Sequence, residues 1–350
     1  MNVLRVGVIG CGRIARLAHL PALARCRDVR VVALAEPDEA RRREAALQAP
    51  GAEPFPDYRD LLASARVDAA VVTLPPGLHA EVAIAAFQSG KHVYLEKPIA
   101  TSLSDARSVI EAWKRSGTIG MIGFNYRFHP LYGSSRAHLR ASRLGELAGV
   151  RSVFASAARD LPDWKKTRQS GGGALMELAS HHVDLVHFLF EQPALEVSAL
   201  VRSQHSDGDS VSLTLRLADD LLVQSFCSIN AVAEDRFEIY GRKGRLAIDR
   251  YAGTLELGWA VHDDGRLLRL GRELRRASGG LRRVLRRSGE FSHGAALRAF
   301  ASAVQQGRQV APGLEQAYRS LAVIDAAERS SATGRVVTLA PGDMVPGVPV

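Results

Sequence analysis

Cysteine is scarce in this sequence of 350 residues, which contains only Cys11, Cys26 and Cys227. An odd number of widely spaced cysteines without a CxxC pair argues against a disulfide framework and a zinc site, and it fits a reducing compartment. No apolar run approaches the roughly 18 residues that cross a bilayer, and residues 1–10 lack the basic segment and cleavage site of a signal peptide. We therefore expect a cytoplasmic protein without a bound metal or a membrane partner.

Acidic residues are fewer than basic ones, 37 Asp and Glu against 46 Lys and Arg, which gives a formal net charge of +9. Much of the excess lies in residues 266–287, which hold nine arginines and, as the one acid, Glu273. Basic segments of this kind bind nucleic acids or anionic surfaces in some proteins. No aromatic side chain lies among these arginines as a stacking platform for single strands, so we expect a solvated insertion and no nucleic-acid partner.

Internal repeats and low-complexity linkers are absent as well, and the length suggests two domains. The first third of the chain alternates short apolar runs with helical stretches, beginning with a strand at residues 4–9, a helix at 14–24 and a strand at 29–37. This order continues to an apolar run at residues 118–123. Apolar strands that alternate with helices predict a parallel sheet covered on both faces. We therefore predict an α/β Rossmann domain, a doubly wound parallel sheet, over residues 1–123.

The pattern changes after residue 150, where strands follow one another with little between them. Several alternate apolar and polar residues, as antiparallel strands with one solvated face do. A helix at residues 174–190 interrupts the series, and helical patterns return at residues 293–304 and 314–331. Residues 124–350 are therefore predicted to form an α+β domain.

A glycine-rich turn joins the first strand to the first helix and reads GCGRIA. Glycine permits the positive φ of such a turn and the close approach of a pyrophosphate, which the helix N-terminus attracts. Glu36 follows at the end of the second strand, where a carboxylate accepts hydrogen bonds from an adenosine ribose. The context predicts a dinucleotide site whose residues are Gly10, Gly12, Arg13, Ile14, Ala15 and Glu36.

The cofactor preference depends on Glu36, because a carboxylate at that position repels the 2′-phosphate of NADP. We therefore expect NAD. Three nearby arginines, Arg41, Arg42 and Arg43, favour NADP as the alternative, since arginine holds the 2′-phosphate in such sites. They fall in the next predicted helix, and we interpret them as a solvated helix face.

A lysine ends the apolar strand within the segment YLEKPIA at residues 94–100. Ligands of open parallel sheets bind outside the carboxyl ends of the strands, so Lys97 is expected to face the nicotinamide. In a dry crevice its pKa is lowered or its ammonium requires a partner. Pro98 restricts how Lys97 is presented. Lys97 is accordingly a candidate catalytic residue.

Two adjacent histidines, His181 and His182, follow three glycines in the helix predicted at residues 174–190. Residues three or four positions apart share a helix face, so His181 is expected beside Glu177 and Asp184. Neutral imidazole suits a general base near neutral pH. His182 falls among Leu and Val side chains and is expected to be a packed, structural histidine.

These motifs resemble those of the Gfo/Idh/MocA family, the relatives of glucose–fructose oxidoreductase and inositol dehydrogenase, in order along nearly the whole chain. The matching segments are GCGRIA at 10–15, LPPGLHAE at 74–81, GKHVYLEKPIA at 90–100, GFNYRFHP at 123–130, GGGALMELASHHVD at 171–184 and SLAVIDAAERSSATGRVVTL at 320–339. The resemblance implies a Rossmann domain followed by a domain with a large open, mostly antiparallel sheet. It also implies NAD(P)-dependent oxidation or reduction of a secondary alcohol on a sugar, cyclitol or related polyol.

The resemblance also assigns site residues. The family's lysine corresponds to Lys97, and its acid-x-x-x-histidine pair corresponds to Glu177 and His181, although the family acid is usually aspartate. Arg127 stands at a position that often faces substrate. The matching motifs extend the implied cofactor site to Leu74, Pro75, His79, Glu96 and Lys97. Further candidates for the substrate rim are Trp164, Lys165, Arg159 and His129. An open sheet of this kind usually pairs with another subunit, which implies a homodimer or homotetramer.

The function indicated by these residues is hydride transfer between a nicotinamide and a secondary alcohol or ketone. Two alternatives stay open. An NAD-dependent glycosidase oxidises and re-reduces its substrate without net redox change, and a dinucleotide-binding regulator catalyses nothing. The presence of both Lys97 and His181 argues against the regulator. Net NADH production separates a dehydrogenase from a glycosidase.

Overall fold

The computed structural model describes residues 3–158, 161–259 and 291–344. Two features of the sequence lie outside these described residues: the rim candidate Arg159 and the arginine-rich segment 266–287. No helix in the described ranges is long and apolar enough to cross a membrane.

The first sheet is parallel and has six strands. They are β1 (Leu4–Ile9), β2 (Val29–Ala35), β3 (Glu53–Phe55), β4 (Ala69–Val72), β5 (His92–Leu95) and β6 (Gly120–Ile122). Their spatial order is β3-β2-β1-β4-β5-β6. Alternate residues of β1 belong to different hydrophobic clusters, Val6 and Val8 to one and Ile9 to the other. Both faces of the sheet are therefore covered, as the continuous apolar strands predict.

Five helices connect these strands. They are α1 (Leu20–Ala24), which continues a π-helical turn at Ala15–His19, and α2 (Glu39–Gln48), α3 (Tyr58–Ala63), α4 (His79–Gln88) and α5 (Leu103–Ser116). Capping sets the bounds of α5. The Ser102 hydroxyl accepts a hydrogen bond from the Asp105 N–H (3.1 Å) at its start, and Gly117 ends it with φ 66°.

The second sheet has eight strands in the order β13-β12-β11-β7-β10-β9-β8-β14. They are β7 (Leu147–Ala155), β8 (Ala194–Arg202), β9 (Ser210–Leu217), β10 (Leu222–Ser228), β11 (Glu234–Gly241), β12 (Gly244–Asp249), β13 (Thr254–Trp259) and β14 (Val337–Thr338). All neighbours pair antiparallel except β7 and β10, which are parallel. This architecture confirms the predicted fold class.

Some of the helices after β6 pack on the second sheet. The remaining helices are α6 (Pro130–Arg140), α7 (Asp163–Lys166), α8 (Ser180–Phe190), α9 (Ser292–Gln306) and α10 (Leu314–Thr333). Helix α6 contacts β12 and β13, and α10 contacts β8. Three outward residues of β8 and β10 are apolar yet exposed: Leu200 by 72%, Leu222 by 51% and Phe226 by 44%. They lie among exposed polar residues such as Ser198 and Gln224 on the open face of the sheet.

Helix α9 packs on the first sheet although it follows the second in the sequence. Its residues Ala296 and Phe300 share a hydrophobic cluster with Val6 and Tyr94. The rings of Tyr94 and Phe300 meet edge to face with centroids 5.9 Å apart. Sequence pattern alone groups this helix with residues 124–350, because periodicity does not show which sheet an apolar helix face covers.

Candidate active site

The ends of β1, β4 and β5 bring the predicted dinucleotide turn, Leu74 and Lys97 to one edge of the first sheet. Gly10 at this edge has φ 88°, and a Cβ there would lie 2.8 Å from Leu74 Cδ2 and 2.9 Å from the Thr73 carbonyl oxygen. Only glycine fits such a position. A Cβ on Gly12 would meet no atom within 4 Å. Gly12 therefore faces open space, which fits the close approach of a pyrophosphate. Arg13 and Ile14 lie between Gly12 and the π-helical turn that begins at Ala15.

Glu36 is 6% exposed and bonds to the glycine turn itself. Its Oε2 accepts a hydrogen bond from the Cys11 N–H at 2.9 Å. Arg42 donates to the Glu36 carbonyl oxygen, and Arg43 pairs with Glu39 on α2. Two of the three nearby arginines are thus held by α2 and the residues before it. This arrangement fits an exposed helix face and leaves the carboxylate of Glu36 as the charge beside the turn.

His79 joins the loops that follow β4 and β5. Its Nδ1 lies 2.6 Å from the Pro98 carbonyl oxygen, and its Nε2 lies 2.9 Å from that of Leu74. The side chain is 1% exposed, and burial lowers its pKa. His79 therefore connects the two loops from inside the protein. Leu74 and Pro75 remain partly exposed at the sheet edge that carries the glycine turn.

Glu96 is also held within the protein. Its Oε1 lies 2.7 Å from His19 Nε2, and the Lys97 N–H donates to its Oε2 at 3.2 Å. Burial alone would raise the pKa of this carboxyl, but the hydrogen bond and charge of His19 lower it to about 2. Possible ligand atoms of His19, Glu96 and His293 lie within 4.8 Å of one another. Among the described residues, this is the group of side chains that is close enough together to hold a cation. The 2.7 Å contact is a hydrogen bond between His19 Nε2 and Glu96 Oε1, whereas His19 Nδ1 is buried without a hydrogen-bond partner among the described residues. Motif spacing does not reveal this cluster, because His19 and His293 are far apart along the chain.

Lys97 follows β5, and its side chain extends to the start of the helical segment at residues 175–190. This segment contains His181 and His182 and is called the histidine helix below. The Lys97–Pro98 peptide bond is cis. The Nζ donates a hydrogen bond to the Glu177 carbonyl oxygen at 2.7 Å and lies 3.5 Å from that of Met176. Burial lowers the pKa of Lys97 to about 8, with Lys165 acting in the same direction. The ammonium is thus fixed by main-chain acceptors and is a stronger acid than an ordinary lysine.

A π-helical turn at Leu175–Ala179 precedes α8. The Ser180 N–H bonds to the Leu175 carbonyl oxygen, five residues back, as is typical of such a turn. Glu177 pairs with Lys165, and Asp184 accepts two hydrogen bonds from Arg127 at 2.6 and 2.7 Å. Each of the two acids near His181 in the sequence therefore has a cationic partner from another part of the chain.

His181 lies against aromatic rings. It stacks on Tyr126 with centroids 4.4 Å apart and planes 19° apart, and it meets Phe124 and Phe154 edge-on. Its Nδ1 is buried and has no hydrogen-bond partner among the described residues. Burial, and then the charge of Lys97, lower its pKa well below the usual value. His181 is therefore a neutral imidazole close to the lysine.

His182, in contrast to His181, has a carboxylate as a hydrogen-bond partner. It is 1% exposed, stacks on Phe154 at 5.2 Å, and has its Nε2 3.3 Å from Asp235 Oδ1. Asp235 also accepts a hydrogen bond from Arg250 at 2.7 Å. The packed position predicted for His182 is confirmed.

Four candidates for substrate contact lie among the described residues: Trp164, Lys165, His129 and Arg127. Lys165 pairs with Glu177 and lies 5.0 Å from the Trp164 ring centroid, so these residues lie beside the carbonyls that bind Lys97. His129 accepts a hydrogen bond from the Leu131 N–H at the start of α6. Arg127, which the resemblance places at a position that often faces substrate, is paired with Asp184, and its side chain is 8% exposed.

Arg127 instead lines a cavity of about 480 Å³ beside the C-terminal half of α8. His187 and Arg319 also line it, whereas Lys97, His181 and Trp164 do not. Burial lowers the pKa of His187 to about 3. The cavity is therefore distinct from the edge where Lys97 and His181 meet.

Comparison with known proteins agrees with this geometry. The profile of an oxidoreductase family with an NAD-binding Rossmann fold, GFO_IDH_MocA, matches residues 4–124, and that of the family's C-terminal alpha/beta domain matches residues 136–339. The inositol 2-dehydrogenase of Acidothermus cellulolyticus is 28% identical over 355 residues, covering 97% of this chain and 96% of the relative. The dTDP-3,4-didehydro-2,6-dideoxy-alpha-D-glucose 3-reductase of Saccharopolyspora spinosa is 27% identical over 249 residues, 71% of this chain and 75% of the relative.

A solved structure shows the same fold. The WlbA dehydrogenase of Bordetella pertussis, crystallised with NADH and UDP-GlcNAcA, superposes with a TM-score of 0.83 and 24% identity, over 97% of this chain and 98% of that one. The dinucleotide turn, the lysine after β5 and the histidine helix thus occur in a chain whose two parts match consecutive family domains. On this evidence the chain belongs to the Gfo/Idh/MocA oxidoreductase family.

Proposed function

We propose that the protein is an NAD(P)-dependent oxidoreductase that transfers hydride to or from a secondary alcohol or ketone of a sugar, cyclitol or related polyol. The proposal rests mainly on Lys97, which is fixed by main-chain carbonyls, and on His181, whose Nδ1 has no hydrogen-bond partner among the described residues and whose pKa is lowered by burial and by the charge of Lys97. Relatives named as an inositol dehydrogenase and a dTDP-sugar reductase support this substrate class.

The nicotinamide supplies or accepts the hydride when the cofactor is bound. In oxidation, neutral His181 accepts the proton of the substrate hydroxyl as general base. Lys97 donates a hydrogen bond to the same oxygen and stabilises its developing negative charge. In reduction, His181 returns the proton. Glu177 and Lys165, which pair beside Lys97, are proposed to form the substrate rim with Trp164.

Arg127 receives a different assignment from the one that the sequence suggests. Its bidentate contact with Asp184 fixes α8 against the segment after β6. We therefore infer that Arg127 supports the site through the helix and does not bind substrate.

For the cofactor, the proposal is NAD in preference to NADP. Glu36 is anchored by the Cys11 N–H and keeps an anionic charge where the adenosine ribose binds. Gly10, Gly12, Arg13, Ile14 and Ala15 form the phosphate turn, and Leu74 and Pro75 lie at the same edge.

Two structural proposals accompany the activity. The division into residues 1–123 and 124–350 follows the end of β6 at Ile122. The exposed side chains of Leu200, Leu222 and Phe226 favour a homodimer or homotetramer that covers the open sheet face.

The deciding experiment is a panel of sugars, cyclitols and polyols assayed with NAD and NADP for net formation of reduced nicotinamide. The proposal predicts turnover with one substrate class and net NADH formation. Release of sugar from glycosides without net NADH would indicate the glycosidase instead. Tight dinucleotide binding without turnover of any substrate in either direction would favour the regulator.

A further inference from the structure

The ring of Tyr126 contacts both the proposed base and a buried cation. His181 stacks on it at 4.4 Å, and the guanidinium carbon of Arg250 lies 4.2 Å from its centroid. Tyr126 belongs to the short helical segment after β6, His181 to α8, and Arg250 follows β12. Three distant parts of the chain therefore meet at one aromatic ring, in a geometry that favours both ring stacking and cation–π attraction.

Arg250 is fixed in this position by Asp235. Its Nε donates to Asp235 Oδ2 at 2.7 Å, and its side chain is 10% exposed. The same carboxylate accepts a hydrogen bond from the Tyr132 hydroxyl at 3.3 Å and lies 3.3 Å from His182 Nε2. The positive charge beside Tyr126 is thus held by a buried, hydrogen-bonded network and does not move freely.

Charged and titratable groups reach His181 from several elements. After burial, which has the largest effect, Lys97 at the end of β5, Arg250 after β12, His182 on α8 and His293 on α9 all lower the pKa of His181. Asp235 is the carboxylate that offsets Arg250. Since no carboxylate hydrogen-bonds His181 among the described residues, these groups disfavour the imidazolium form.

We propose that Tyr126 and Arg250 are positioning residues for His181: Tyr126 fixes the plane of its ring, and Arg250 keeps that ring unprotonated and able to accept a substrate proton. The inference rests on the proposed function, in which His181 is the general base. It adds an electrostatic partner that belongs to the second sheet. The orientation and the protonation of the proposed base then depend on residues that follow strands of both sheets, Tyr126 after β6 and Arg250 after β12.

The test measures the protonation of His181 directly in the full chain. Histidine ring resonances are followed by NMR between pH 4 and 9, with His181 assigned through its absence from His181→Gln, alongside the pH profile of kcat/KM for the substrate found in the panel. Arg250→Gln removes the cation, and Arg250→Lys is the matched control that keeps it. Arg250→Gln combined with Asp235→Asn removes both charges, so that no unpaired buried charge destabilises the fold.

The expected result is a rise of the His181 midpoint by about one pH unit in Arg250→Gln, because a nearby cation is lost. The rise should be smaller in the double variant, because the Asp235 carboxylate that offsets this cation is lost with it. The acid limb of kcat/KM should move upward equally, and Arg250→Lys should stay close to the unmodified protein. Tyr126→Leu should lower kcat by about tenfold or more while leaving KM for NADH near its original value.

An unchanged His181 midpoint in both charge-removing variants would overturn the inference. An equal shift in Arg250→Lys would also overturn it, because the effect would then be packing and not charge. Failure of the proposed function is separate: His181→Gln would then retain full turnover, whatever the ring titration shows.

Discussion

The start and the middle of the histidine helix differ in how their polar groups are satisfied. At the start, the reactive end, Lys97 binds main-chain carbonyls and the ring of His181 stacks without a hydrogen bond at its Nδ1 among the described residues. In the middle, Asp184 and Arg127 bond to each other with two short hydrogen bonds. The charges of this buried pair already have partners, whereas the Nδ1 of His181 has none among the described residues. One helix thus carries the proposed chemistry at its start and an anchor, the Arg127–Asp184 pair, one turn further on.

Removing Lys97 tests the reactive end and should have the largest effect. Lys97→Ala should lower kcat by about 10²–10⁴-fold, the usual range for a group that serves the reacting oxygen. Adding His181→Ala should lower kcat much less than the product of the two single effects, because both groups act on one oxygen. Steady-state rates with NADH titrations as the binding control measure this. Multiplicative effects of the two substitutions would contradict a shared oxygen.

Breaking the anchor should affect stability more than chemistry. Asp184→Asn leaves the buried Arg127 charge without its partner and should reduce the free energy of unfolding by about 3–5 kcal/mol. Asp325→Asn is the matched control, since its pair with Arg329 is exposed and should contribute less than about 1 kcal/mol. Urea unfolding of both variants gives the comparison. Equal losses would show that the Arg127 pair is not the anchor.

The pH dependence of the reactive end follows from Lys97. Its pKa is about 8, so Nζ is protonated and donates a hydrogen bond below that pH and loses the proton above it. kcat/KM for oxidation should therefore fall as pH rises through about 8. Because the pKa of His181 lies well below its usual value, no acid limb should appear near 6.5. A profile that rises through pH 6.5 would mean that His181 titrates as an exposed histidine.

Cofactor preference should change least. Glu36→Ser removes the carboxylate that repels a 2′-phosphate, so the preference for NADH over NADPH should shrink by about tenfold, equivalent to roughly 1.4 kcal/mol. Glu39→Ser removes an equal charge from the exposed side of α2 and should leave the ratio unchanged. Fluorescence titration with both dinucleotides measures the ratio. Tighter NADPH binding by the unmodified protein would contradict the assignment of Glu36.

Much of this organisation is predictable from local sequence. The glycine turn, the alternation of strands and helices, and the buried position of His182 follow from short-range patterns. The π-helical turn at Leu175–Ala179 is not predictable, because no single residue there marks the extra residue per turn. The partners of Glu177 and Asp184 are not predictable either, because Lys165 and Arg127 come from other parts of the chain.

Partners from distant segments are equally invisible in the sequence. The contact of Arg250 with Tyr126 depends on how β12 approaches the segment after β6, and the contact of His19 with Glu96 depends on how the first helix lies over β5. The family motif at residues 123–130 indicates Arg127 as a candidate substrate contact. The pairing of Arg127 with Asp184 appears only once α8 is packed, since both charges need a partner to be buried.

The most direct test of the account compares the two adjacent histidines. With the best substrate of the panel, His181→Ala should retain its fold and NADH affinity and lose kcat by about 10²–10⁴-fold. His182→Ala should lower the Tm and change kcat by less than about tenfold, because its contacts are to Phe154 and Asp235. Loss of turnover in His182→Ala with turnover retained in His181→Ala would contradict the central claim that His181 is the base.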